Sequence, residues 1–291
     1  MTDRVTIQAH AKVNLFLRVL SREVSGYHSL ETLFALLELC DELTVERIAH
    51  GIELTVDGAD TGPTEQNLAY RAAAMVLEAT GDRFGVRMHL SKRIPTQAGL
   101  AGGSTDGAAA LHAVNRLVGD AVPRHELLHF GAKLGSDVPF LVSGAAMALA
   151  WGRGERLYRL PAPKPAPVLV AVPPFGISTK VAYGLVDAAQ AEGSLRGPIV
   201  LDETAFETWG GIGRLGGNDF ESVVFNREPD LRALFERMAE TRPLSVRLSG
   251  SGSAIVAIYK TEAERDAAAA TVGTQDRTLI RTTTRQAPAR R

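Results

Sequence analysis

The chain has 291 residues, about twice a common domain, so two domains with two cores are expected. Hydrophobic residues make up 45% and charged residues 22%, a composition that excludes a disordered or fibrous protein. The 32 basic residues nearly balance the 33 acidic ones, so no overall field favours nucleic acid or an anionic membrane, and an anionic ligand needs a local site.

Alternation of polar and apolar residues from Val5 to Val19 predicts a strand. Lys12, Asn14 and Arg18 interrupt it as no signal-peptide h-region is interrupted, which leads to the expectation of a cytoplasmic protein. Cys40, the only cysteine, excludes an intramolecular disulfide and is expected to behave as a small buried hydrophobe. Asp41 to Arg47 and Gly51 to Val56 alternate as strands, with a short turn at His50 and Gly51. Asn67 is positioned to cap a helix, LAYRAAAMVLEAT, whose Leu68, Ala72, Met75, Val76 and Ala79 share one face before Gly81 stops it. A strand, FGVRMHLSKRIP, then runs to Pro95. Helices follow from Gly103 to Leu117 and from His125 to Leu134, and AMALAWGRGERLYRL reads as a strand pair.

The stretch PAPKPAP, residues 161 to 167, has no helical or strand period and is expected to be a stiff connector at a domain boundary. This divides the chain into residues 1–160 and 168–291. A strand at Val168 to Val172 and a helix from Thr179 to Gln190 come next, and then a weakly patterned glycine-rich stretch to Gly217. Helices near Asp219 and Asp230, a strand pair around SGSGS, a helix at Glu262 to Thr271 and a strand at Thr278 to Thr284 complete an order that fits a ferredoxin-like α+β domain. The tail QAPARR is expected to fray. No stretch approaches membrane-spanning length, and no repeat relates the two halves.

Chemistry is sought first in RIPTQAGLAGGSTDGAAALHAVNRL. The run is neither a P-loop nor a GxGxxG fingerprint. Gly102 and Gly103, just before a helix, would let backbone N–H groups approach a pyrophosphate, and Ser104 and Thr105 would add hydroxyl donors. Taken alone, a glycine cluster is more often a tight turn. HELLH, His125 to His129, matches the zincin pattern. It lies on a short helix without a third histidine at the metzincin spacing, so a solvated helix face is preferred. Lys12, taken singly, is a strand lysine open to solvent, and Asp137 in GSDVPF a turn cap before a Val-Pro stop.

Jointly and in this order, AKVNLFL, KRIPTQAGLAGGSTDGAAAL and VRLSGSGSAIV resemble the three motifs of the GHMP small-molecule kinases. SGYHSLETLF, LGSDVPFLVSGAAMALAWGRGE, the GIST segment and GGNDFE extend the resemblance over most of the chain. They bring it closest to the branch whose acceptor is a cytidine diphosphate-linked methylerythritol. Two departures stand out from the usual GLGGGSS: Ala101 replaces the middle glycine and Thr105 the second serine. A positive φ at Ala101 would cost about 1 kcal/mol.

The resemblance implies a two-domain GHMP kinase fold, α+β, with an N-terminal domain like ribosomal protein S5 domain 2 and a ferredoxin-like C-terminal domain. It implies an ATP-dependent phosphotransferase of isoprenoid precursor synthesis that uses Mg2+, its metal ligands unassigned. Asp137 is implied as the base that takes the acceptor hydroxyl proton, with Lys12 beside it to offset charge near the γ-phosphate. ATP contacts are implied at Pro95, Gly99, Leu100, Ala101, Gly102, Gly103, Ser104 and Thr105, and at Gly250, Ser251 and Gly252. Tyr27 and Tyr183 are implied to sandwich the cytosine, His28 to read its edge, and Asn14 and Thr179 to hold the rest of the acceptor. A mevalonate or homoserine kinase is disfavoured by the GYH aromatic-histidine pair. A silent ligand sensor is disfavoured because Lys12 and Asp137 are both present.

Overall fold

The structure, a computed structural model, describes residues 3–24, 26–191 and 201–286. Strands β1 (Arg4–Arg22) and β2 (His28–Ile48) form a long antiparallel hairpin. Only the second half of β2 was visible as alternation. In the first half, Thr32 through Leu37 are all buried, so the two-residue period vanishes, as it does in any strand covered on both faces. β3 (Ile52–Asp57) follows β2 closely, yet it pairs parallel with β4 (Gly85–Ser91). The turn at His50 and Gly51 therefore joins strands that are not partners. Helix α1 (Leu68–Ala79) makes the crossover that parallel strands need, and Asn67 caps it by accepting the Ala69 N–H at 2.9 Å.

Helices α2 (Gly102–Leu117), α3 (Arg124–Leu134) and α4 (Val138–Ser143) precede the hairpin of β5 (Met147–Gly152) and β6 (Arg156–Leu160). The six-stranded sheet runs β3-β4-β2-β5-β6, with β1 paired to β2. One core buries Val76, Leu111, Val114, Phe140 and Val142 from the helices against Val45, Met88 and Leu90 from the strands. Met75, expected on the buried face of α1, is only partly buried. The Val-Pro pair predicts a stop, yet helix α4 begins there. Proline near a helix start loses only an N–H that has no intrahelical partner there, so the helix begins at Val138 instead of ending.

Past the connector come β7 (Pro167–Val172), α5 (Thr179–Ala191), α6 (Trp209–Gly213), α7 (Asp219–Arg227) and α8 (Pro229–Glu240). The chain continues with β8 (Ser245–Leu248), β9 (Ile255–Ile258), α9 (Glu262–Val272) and β10 (Thr278–Thr283). Their antiparallel sheet has the order β10-β7-β9-β8, the strand order of the βαββαβ ferredoxin-like unit. Of the glycine-rich stretch, residues 201–217 are described and include α6, whose Trp209 indole N–H donates to the Lys164 carbonyl of the connector at 2.8 Å. Residues 192–200 and 287–291 lie outside the described residues, and most of the tail expected to fray is among them.

A second core joins the two sheets, with Ala11, Val13, Phe16 and Leu33 packed with Val168, Val170, Val256 and Ile258. Backbone bonds reinforce it where the Arg285 N–H reaches the Leu36 carbonyl at 2.9 Å and the Thr284 N–H that of Ala166 at 3.0 Å. Strand β1 therefore has apolar residues of different cores along its length, Val5, Ile7 and Ala9 in one and Ala11 to Phe16 in the other.

Phe140, fully buried, stacks on Phe34 with centroids 4.9 Å apart. Replacing it with alanine is expected to cost about 3–5 kcal/mol, measured as a lower urea midpoint at unchanged denaturant slope.

Candidate active site

Lys12 sits on β1 beside one register shift, between His10 and Lys12, and Asn14 beside another, between Asn14 and Phe16. Such bulges re-aim side chains from their regular alternation. The Lys12 ammonium is 3% exposed by residue and donates to Asn14 Oδ1 at 2.7 Å and to the Gly99 carbonyl at 3.1 Å. It also lies 3.4 Å from Asp137 Oδ2 and 5.5 Å from the centroid of Phe34. Asn14 is oriented in turn by donating to Thr32 Oγ1 at 2.8 Å, whose hydroxyl donates to the Phe16 carbonyl at 2.6 Å. Lys12 is therefore not a solvent-facing strand lysine. Asp137 stands at the N-cap of α4, but its side chain makes no capping bond. The carboxylate faces Lys12 and, with a side chain 31% exposed, remains open to the cleft.

Two glycine loops meet beside this pair. The Ala254 N–H donates to the Ala98 carbonyl at 3.0 Å, and the Ser249 hydroxyl donates to the Gly99 carbonyl at 3.0 Å. A Cβ at Gly99, whose φ is +78°, would stand 2.0 Å from the Ser249 carbonyl oxygen, so only glycine permits this approach. Asn218 holds the second loop from behind, donating to the Leu248 and Gly250 carbonyls at 2.9 and 2.6 Å. Ala101 adopts φ 59°, ψ 33° at the N-cap of α2 without a side-chain cap. Ala101 therefore occupies the left-handed region that an L residue enters at a cost of about 1 kcal/mol. The N–H groups of Gly102, Gly103 and Ser104 in the first turn lack intrahelical acceptors and form an anion-binding end.

These elements border a cleft of about 1240 Å3. Of the residues implied by resemblance, all but two line it. Thr105 is buried, its hydroxyl donating to the His10 carbonyl at 2.8 Å and its N–H to that of Ala101 at 2.9 Å. Gly252 lies behind the loop, its N–H bonded to the Ser249 carbonyl at 3.0 Å. Thr179 Oγ1 is 3.1 Å from the Ser251 hydroxyl.

At one end, His28 stacks on Tyr183 with centroids 4.5 Å apart, and Tyr183 meets the edge of Phe220 at 4.9 Å. Burial, with the charge of Asp137 adding to it, pushes the Tyr183 hydroxyl up to about 12, so it stays neutral across the working range. His28 Nε2 is 2.5 Å from Asp187 Oδ1 of α5. Tyr27 is 55% exposed, with the Arg153 guanidinium 4.1 Å from its ring centroid. Thr61, Asn67 and Leu68 also line the cleft.

Arg153 and Asn218 lie within AWGRGE and GGNDFE, and Asn218 also caps α7 by accepting the Phe220 N–H at 3.0 Å, but their distant partners, like that of Asp187, carry no local signal. The same holds for Lys92, Asp41 and Asp106, a buried charge cluster under the phosphate loop. His125 and His129 of HELLH lie on the exposed face of α3. Cys40 is half-buried, and burial pushes its thiol up. No helix among the described residues is long and apolar enough to cross a membrane.

The profile for the GHMP kinases N terminal domain matches residues 67–150, and that for the GHMP kinases C terminal matches residues 202–276. A 4-diphosphocytidyl-2-C-methyl-D-erythritol kinase of Brevibacillus brevis is 37% identical, over 90% of this chain and 89% of its own. That of Moorella thermoacetica is 41% identical, over 88% and 90%. A crystal structure of 4-(cytidine 5'-diphospho)-2C-methyl-D-erythritol kinase superposes with a TM-score of 0.82 at 35% identity, covering 96% of this chain and 99% of the other.

Ala101→Gly is expected to relieve left-handed strain and raise stability by up to about 1 kcal/mol. Gly99→Ala is expected to lower the melting temperature sharply by forcing the two loops apart. Thermal denaturation of the three proteins checks both.

Proposed function

The chain belongs to the GHMP kinase family and groups within it with the 4-diphosphocytidyl-2-C-methyl-D-erythritol kinases. On that premise we propose that it transfers the γ-phosphoryl group of ATP to the 2-hydroxyl of 4-diphosphocytidyl-2-C-methyl-D-erythritol, a step of the non-mevalonate route to isoprenoid precursors. The observation that carries this reading is the Lys12–Asp137 pair, 3.4 Å apart, set beside two interlocked glycine loops in one cleft. Residues 1–160 and 168–291 are taken as the two domains, a division supported by the connector between β6 and β7 and by the separate sheets on either side.

Asp137 accepts the proton of the 2-hydroxyl as that oxygen attacks the γ-phosphorus and the bond to the β,γ-bridging oxygen breaks, releasing ADP. Lys12, held by Asn14 and the Gly99 carbonyl, offsets the charge that develops beside Asp137. The N–H groups of Gly102, Gly103 and Ser104 receive phosphate oxygens, and Gly250 and Ser251 close the opposite wall. Mg2+, bound with the nucleotide, would offset the charge of its phosphates. Among the described residues no group of three or more His, Cys, Asp and Glu could hold a metal ion. Thr105 supports the loop from within, through its bonds to His10 and Ala101.

Tyr27 and Tyr183 supply aromatic faces for the cytosine, and His28, fixed by Asp187, supplies the contact to its edge. For the base to lie between the tyrosines, the imidazole must leave the face of Tyr183. Asn14 and Thr179 border the path between this end and the phosphate loop.

Asp137→Asn is expected to lower kcat by about 100-fold or more with ATP affinity retained. A folded variant with near wild-type kcat would show that Asp137 is not the base. Tyr27→Ala is expected to raise KM for the cytidyl acceptor by about tenfold and to leave KM for ATP within about twofold, and equal effects on both would make Tyr27 structural. The reading as a whole is checked by assaying mevalonate, homoserine and the cytidyl acceptor side by side with ATP, and turnover of either of the first two alone would overturn it.

A further inference from the structure

A charge cluster beneath the phosphate loop is unused by the chemistry above. Lys92 leaves the end of β4 and donates to Asp41 Oδ2 of β2 and, at 2.7 Å, to Asp106 Oδ2 of α2. Asp41 Oδ1 also accepts the N–H groups of Arg93 and Ile94, at 2.5 and 2.8 Å. Asp106 is less well served, because its Oδ1 is buried without a partner. Its side chain is 2% exposed and that of Lys92 3%, yet both residues border the cleft. The ammonium lies 3.1 Å from where a Cβ at Gly102 would begin.

One cation thus serves two carboxyl groups. If both ionise, a net negative charge is buried about one turn below the helix end that receives the nucleotide phosphates, with one carboxylate oxygen unsatisfied. If Asp106 keeps a proton, the cluster is neutral.

We propose that Asp106 is a positioning residue that works as a neutral acid. Its proton keeps the floor of the ATP site free of net negative charge, and loss of that proton weakens nucleotide binding. This rests on the ATP-dependent reading given above. Burial pushes the Asp106 carboxyl up to about 7, with Lys92 pulling it down and Asp41 pushing it further up. Lys92 and Asp41 are the charged side chains that face it. Lys12 of β1 is engaged instead with Gly99, and His10 of β1 meets α2 through its carbonyl at Thr105. Helix α1 presents Leu68 to α2 at Gly107, and α4 presents the Val142 carbonyl to His112. A bound polyanion favours the protonated acid, so ATP and the proton bind cooperatively, and affinity falls as pH rises through about 7.

The test is calorimetric titration of MgATP into wild type and Asp106→Asn, which keeps the shape and cannot ionise, at about pH 6 and about pH 8.5. The two proteins are expected to bind within about twofold at the lower pH. At the higher pH the variant is expected to bind on the order of fivefold tighter. A ratio that does not change with pH overturns the proposal. Should the variant fold poorly, wild type alone decides: titrations near pH 8 in buffers of differing ionisation enthalpy are expected to show net proton uptake, and no uptake overturns it. Acceptor phosphorylation is followed on the same samples. PH-dependent binding without acceptor turnover supports the role of Asp106 and sinks the kinase reading. Turnover with a pH-independent ratio does the reverse.

Discussion

The buried ammonium of Lys12 ties together three elements that border the cleft. A lysine nitrogen withdrawn from water must recover its hydration from protein oxygen atoms or neutralise. Here the oxygens come from a neighbour on the same strand, from the phosphate loop and from the N-cap of α4. Meeting those three demands fixes where β1, the glycine loop and α4 stand relative to one another. The cation that ties these elements together stands 3.4 Å from Asp137 in the cleft.

The same economy appears around it. The two glycine loops interlock through the Gly99 carbonyl, which accepts from both Lys12 and the Ser249 hydroxyl. Ala98, Leu100 and Ala254 of these loops pack in the core that joins the sheets. Ala101 accepts left-handed backbone strain at the entry to α2, and the helix end it creates has no capping side chain to compete with a phosphate. Strain and uncapped N–H groups at a helix start are costs the fold offsets elsewhere, chiefly through the apolar core linking β1 and β2 to β7 and β9.

Legibility followed the range of the physics. Where one element's neighbours in sequence determine its state, the sequence was readable. Asn67 caps α1, prolines mark the connector, and the hairpin around SGSGS forms where alternation and turn residues agree. Long-range burial erased the signal in the first half of β2, and β3 found its partner across a crossover and not across its turn. Pro139 is ambiguous in sequence because its effect depends on whether a helix ends or begins there. Of the implied site residues, Thr105 and Gly252 lie behind the cleft surface, supporting loops from inside.

The sequence by itself therefore determined the motif set and its order, and the class of chemistry followed from the family resemblance those motifs carry jointly, since a glycine cluster, a strand lysine or an aspartate before Val-Pro taken singly has an ordinary structural reading. Only the tertiary structure decided which charges share a partner. Lys92, Asp41 and Asp106 come from three separate elements, as do His28 and Asp187 from β2 and α5. Electrostatic energy in a buried site depends on distances and desolvation created by packing, and neither quantity exists in a sequence until the chain has folded.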